Sequence, residues 1–183
     1  MRLAWLSEGG YTGKVPREQT ANAGVLWAWM SNLQTDHYPI LNFEHAPTNG
    51  YDYLILQIPK TPHVRDALLE KDIVKEARRI AKTILFFQEG PVWVYQDMPL
   101  PQQFWHYNML VDVDLIFCEN TTDIPYYKGF VPGKPVTNLP DLIVDDTLMG
   151  IEHVEKQDKA IIGGNFCRWY GGFDSYIVAQ EFG

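Results

Sequence analysis

Short, continuous apolar runs alternate with segments of helical period from residue 3 to residue 139, and that alternation leaves few architectures open. Residues 3–7 are apolar and stop at Glu8, Gly9 and Gly10, a strand ended by a turn. A polar loop over 11–20 leads into 21–33, where Val25, Trp29 and either Asn32 or Leu33 keep helical spacing. Residues 38–43 and 53–58 read as the next strands, the second framed by Asn49, Gly50 and Pro59. Over 63–82, Val64, Leu68, Ile73, Ala77 and Ile80 recur with charges between them, which predicts one helix. Residues 83–88 have the unbroken apolar pattern of a parallel strand covered on both faces. A helix over 101–113 follows, with Leu100, Phe104, Tyr107 and Val111 on one stripe; then come a strand at 114–118, a short helix at 124–130 and a strand at 136–139. Connection rules turn that order into an α/β fold, a mainly parallel sheet flanked by helices.

With 183 residues, 46% hydrophobic and 21% charged, the chain has the composition of a globular domain large enough to bury a core without staples. Its net charge of −8 argues against a nucleic-acid backbone binder, which would need a basic stripe. It leaves room for a small anionic ligand, since one Arg and a few backbone N–H groups suffice for that. No apolar run reaches the roughly 18 residues of a membrane span, and the N-terminus turns polar too soon for a signal peptide. Cys118 and Cys167 are too few for a disulfide framework and read as buried free thiols, so the expected compartment is cytoplasmic.

A break falls near the end. Residues 138–150 look like a linker, and Ala160 to Gly164 opens a new strand, with a helix starting near Phe173. The expected division is a first domain over 1–150 and a linker with the first β-α unit of a truncated second domain over 151–183.

Several familiar sites are excluded by spacing. The loop from Glu8 to Lys14 is not a phosphate-binding P-loop: Glu8 stands where its first Gly belongs and Val15 and Pro16 follow the Lys. Nor is it a dinucleotide fingerprint. It is either a plain tight turn or a Gly-rich ligand loop at the end of the first strand. The five histidines show no paired ligand spacing, so no metal is expected, and His106 reads as a packed residue. No Gly-x-Ser-x-Gly elbow supports a hydrolase triad. Three strands, however, end in polar groups: Glu8 with Gly9, Glu89 with Gly90, and Glu119 with Asn120. Glu8 and Glu89 are candidate general bases or hydrogen-bond acceptors for sugar hydroxyls, or else solvated turn carboxylates. Trp93, Tyr95 and Trp105 near the loop after 83–88 could offer aromatic faces to a sugar ring, or pack in the core. Near the end, Gly163, Gly164, Asn165 and Arg168 precede a helix, a combination suited to a diphosphate, or a loop built only for its turn.

Taken together, the first strand with its Gly-Gly loop, the linker, the run Ile161-Ile162-Gly163-Gly164-Asn165-Phe166 and the turn Gly171-Gly172-Phe173-Asp174 resemble a GT-B glycosyltransferase of the group-1 type. The resemblance implies a Rossmann-like three-layer α/β/α acceptor-side domain followed by the start of a donor-side domain. It implies transfer of a hexose from a nucleotide-diphosphate sugar to a hydroxyl acceptor, without a metal or a separate cofactor. Gly9, Gly10, Thr12, Glu89 and Asn120 would bind substrate, and Gly164, Asn165 and Arg168 the donor phosphates. Gly171 stands where that family usually has a phosphate-binding Lys, so either Arg168 takes that role or the resemblance is one of architecture alone. The 183 residues alone are expected to be inactive, and a homodimer is a further expectation. The alternative is a non-enzymatic α/β ligand-binding domain, flavodoxin-like or sensor-like.

Overall fold

The computed structural model describes residues 1–9, 11–15, 25–58, 61–88, 93–140, 142, 155, 176–178 and 180–181. The chain divides into two units, Met1–Met149 and Gly150–Gly183.

In the first unit the described strands are β1 (Leu3–Ser7), β2 (Gly13–Lys14), β3 (Asp36–Pro39), β4 (Tyr51–Gln57), β5 (Ala81–Gln88), β6 (Leu115–Cys118) and β7 (Val136–Asn138). The helices are α1 (Val25–Asn32), α2 (Pro62–Leu68), α3 (Ile73–Ile80), α4 (Trp93–Gln96), α5 (Leu100–Asp112) and α6 (Ile124–Phe130). They build one seven-stranded sheet in the order β2-β3-β1-β4-β5-β6-β7, parallel except for β2 against β3. The fold is a Rossmann-like three-layer α/β arrangement.

Alternation along the central strands sorts the core into two layers. Ala4, Leu6, Leu54, Leu56, Ile84, Phe86 and Ile116 face α2, α3, α5 and α6 through Leu68, Ala77, Leu110 and Tyr127. Trp5, Ile55 and Phe87 face the other way, with Met30 of α1 and Val15. Trp5 meets Phe87 edge-on at 6.0 Å across β4. β1 is buried on both faces from Ala4 onward, as a middle strand must be.

Several elements differ from the sequence expectation for identifiable reasons. The helix expected over 63–82 is two, because the step from Leu68 to Ile73 is five residues and breaks the 3.6 period. Asp72 starts the second by accepting Lys75 N–H at 3.0 Å. The strand expected over 38–43 runs over Asp36–Pro39, so His37 is a strand residue. The two-residue β2 lies inside the polar loop after β1. On α5 three of the four residues of the expected apolar stripe face water: Leu100, Phe104 and Val111 are 65, 64 and 59% exposed, only Tyr107 packs on the core, half-buried, and His106, Met109 and Leu110 are the buried residues.

In the second unit, residues 176–178 and 180–181 are helical, with Gln180 Nε2 donating to Tyr176 Oη at 3.0 Å. The expected strand at 160–164 lies outside the described residues.

Candidate functional site

Six parallel strands send their carboxyl ends to one edge of the sheet, and the chain reverses direction of winding beside β1. From β1 it passes through α1 to β3 on one side, then crosses to β4 on the other. Open α/β sheets bind ligands in the crevice outside such a reversal, because the two connections diverge there and leave backbone and side chains facing a gap. Here that crevice lies between the ends of β1 and β4.

Glu8, the residue after β1, stands at this point and is exposed. Its carboxylate accepts the Thr61 hydroxyl, whose Oγ1 lies 2.6 and 2.7 Å from the two carboxylate oxygens. Thr61 precedes α2 as its N-cap residue, with its side chain turned to Glu8 and not to the helix. The bridge spans the reversal and fixes the carboxylate while leaving lone pairs open to a ligand. Gly9 follows with φ +137°, a conformation in which a side chain would be strained.

Beneath the loop lies a pair the sequence reading passed over. Ser7 Oγ is 2.8 Å from His37 Nε2, and His37 Nδ1 is 2.6 Å from the Tyr11 carbonyl. A carbonyl can only accept, so Nδ1 carries the proton and Nε2 accepts from the Ser7 hydroxyl. Burial lowers the His37 pKa, partly offset by its bond to the Tyr11 carbonyl. A serine beside a neutral imidazole is also the start of a nucleophilic site. Both residues are shut from water, at 2 and 0% exposure, and a carbonyl stands where a triad would have a carboxylate. The pair is therefore a strut that ties the 8–13 loop to β1 and β3. Only the strand register brings Ser7 and His37 onto one face, and a strand thought to start at Tyr38 hides it.

Further along the edge, Asn120 follows β6 and is half-buried; its carboxamide makes no hydrogen bond among the described residues. Asn138, at the end of β7, is committed: its Nδ2 donates to the Cys118 and Glu119 carbonyls at 2.9 and 2.5 Å. Thr12 is exposed just before β2, on the far side of β3 and roughly 10 Å from β1 by strand spacing. Gly10, Glu89, Gly164, Asn165 and Arg168 lie outside the described residues.

The aromatic expectation changes. Tyr95 is fully buried and donates its hydroxyl to the Ile58 carbonyl at 3.3 Å, so it offers no face to a ligand. Trp105 is half-buried with its indole N–H on the Lys71 carbonyl. Trp93's side chain is outside the description. Cys118 is a buried free thiol with its pKa raised by burial to about 11, which makes it inert. No cluster of His, Cys, Asp or Glu suited to a metal ion occurs among the described residues.

A groove away from this edge, between the 43–48 loop and α3, is lined by Glu44, Glu70, Lys71, Asp72, Glu76 and Arg79. Two of its polar groups serve the fold: Asp72 caps α3, and Arg79 donates to the Ala46 and Phe43 carbonyls. No helix among the described residues is long and apolar enough to cross a membrane.

The chain matches no family model, no curated protein and no solved structure.

Proposed function

We propose that this chain supplies the acceptor side of a glycosyltransferase that moves a hexose from a nucleotide-diphosphate sugar to a hydroxyl group. The observation that carries the reading is the Glu8 carboxylate, oriented by Thr61 at the crevice between β1 and β4. A fixed carboxylate with free lone pairs is the group that recognises sugar hydroxyls, and it is also placed to take a proton from one. Asn120 adds an uncommitted carboxamide on the same edge, and the absence of a phosphate fingerprint after β1 leaves that edge to the acceptor. In this reaction a bond forms from the acceptor oxygen to the anomeric carbon as the bond to the diphosphate breaks. The acceptor proton passes to a base, for which Glu8 and Glu89 are the candidates. For the departing diphosphate the resemblance nominates Gly164, Asn165 and Arg168, which lie outside the described residues. No metal or cofactor takes part in this scheme.

One observation favours a second reading. The parallel strands β3-β1-β4-β5-β6 follow the order of flavodoxin-type sheets, which hold a flavin at the same reversal. A titration followed by amide resonances separates the two. Simple glycosides are expected to shift Gly9 and Asn120, and Glu8→Gln to weaken that binding about tenfold, the loss of one charge-assisted hydrogen bond. Flavin mononucleotide shifting the same amides with no response to any glycoside would overturn the glycosyltransferase reading. The 183 residues alone are expected to turn over no sugar nucleotide.

A further inference from the structure

Between α2 and α5 two buried side chains and one half-buried one hold buried polar atoms that have no hydrogen-bond partner among the described residues: Arg65 Nε, both ring nitrogens of His106, and Gln102 Oε1. Folded proteins leave few such atoms, and a cluster of them marks a place where something else completes the bonding. Arg65 is the most telling. It is 9% exposed, and its one hydrogen bond among the described residues runs from Nη1 to the Met98 thioether at 2.8 Å, a weak acceptor. No carboxylate among the described residues pairs with it. The adjacent Asp66 instead accepts Gln102 Nε2 at 2.5 Å. Burying a cation without a counter-charge is costly, so the arrangement persists most readily if an anion supplies the charge.

His106 completes the cluster. It stacks on Tyr95 with ring centroids 4.2 Å apart and meets Phe86 edge-on at 5.5 Å. A neutral imidazole brings one N–H and one lone pair. Gln102 and His106 are four residues apart on α5 and share a face. The cluster also adjoins the crevice: Thr61, which holds Glu8, lies one helical turn before Arg65, a rise of about 6 Å. Tyr95 donates to the Ile58 carbonyl just past the end of β4.

We infer that Arg65 and His106 bind an anionic group, a carboxylate or a phosphate, carried by the molecule seated at the carboxyl edge. That this molecule is the sugar acceptor rests on the function proposed above. Arg65 supplies the counter-charge and His106 a second N–H donor.

The test uses sodium acetate and sodium phosphate as probes against sodium chloride at equal ionic strength, with the whole chain. The expected result is a saturable shift of the Arg65 Nε–H resonance and a Tm higher by a few degrees in one of the two salts. Acetate acting alone identifies a carboxylate, and phosphate acting alone a phosphate. Arg65→Met is expected to keep the chloride Tm, having removed an unpaired charge, and to gain nothing from either anion; Arg65→Lys is expected to retain part of the gain. Two results would overturn the inference: an Arg65 resonance that responds no more than in chloride, or an Arg65→Met chain stabilised as much as the parent. Glycosides are then added in a separate arm. If they move Gly9 while neither anion moves Arg65, the anion site falls and the glycosyltransferase stands; the converse pattern does the reverse.

Discussion

Two buried histidines meet different fates in this chain. His37 satisfies both nitrogens, with Ser7 and the Tyr11 carbonyl, whereas His106 satisfies neither. Burial holds both in the neutral form, and brings His106 down to about 3. The unfolded chain, with imidazoles near their usual value of about 6.5, binds these protons at a higher pH than the fold does. Stability is therefore full above that value and falls as pH drops below it, by up to about 1.4 kcal/mol per pH unit for each proton taken up. A urea midpoint that declines between pH 6.5 and pH 5 is expected, above the range in which carboxylates titrate. His106→Phe should flatten that decline, and an unchanged slope would show that His106 is not held neutral. Replacing His37 by Leu removes its hydrogen bonds with the Ser7 hydroxyl and the Tyr11 carbonyl, at a cost of about 1–3 kcal/mol in urea unfolding.

At the level of helices and strands, α5 shows how a sequence pattern misleads. Leu100, Phe104 and Val111 keep apolar spacing but face water, while Met109 and Leu110 meet the sheet with His106 beside them. A histidine in the buried stripe is what disguised it, since an imidazole stacked on Tyr95 and edge-on to Phe86 counts as polar by composition and packs as an aromatic. Val111→Thr is accordingly expected to change stability by less than about 0.5 kcal/mol, and Met109→Ala to lose about 2–5 kcal/mol. Equal losses would restore the stripe read from spacing. Asp72 is the other test, because its carboxylate caps α3 just inside the five-residue step from Leu68 to Ile73 that splits the helix. Asp72→Ala is expected to cost about 1 kcal/mol by thermal unfolding. The succession of strands along the chain, β2 apart, and the positions of Glu8 and Asn120 at strand ends were legible because apolar runs and their stops are local. The Glu8–Thr61 bridge, the Ser7–His37 pair and the Arg65–His106 cluster join residues 30 to 53 positions apart and appear only once register and packing bring them together.

Taken as a whole, the first unit is stiffest in the middle of its sheet and weakest at the rims. β1, β4 and β5 are covered on both sides and bonded to neighbours, whereas β2 has two residues and β7 three. Amide exchange is expected to be slowest in Leu54–Leu56 and Ile84–Phe86 and fastest at Gly13 and Thr137; equal protection at centre and rim would contradict this. One bond spans almost the full unit: Trp29 Nε1 on α1 donates to the Pro140 carbonyl at 2.8 Å. A ribosome delivers Trp29 long before Pro140, so the indole waits through the synthesis of more than a hundred residues for its partner. Its ring packs on the Trp5–Phe87 layer as the sheet forms, so in a chain whose other five tryptophans are replaced its emission should shift at that stage and again when Pro140 arrives, which makes this indole a clock for the final step of assembly.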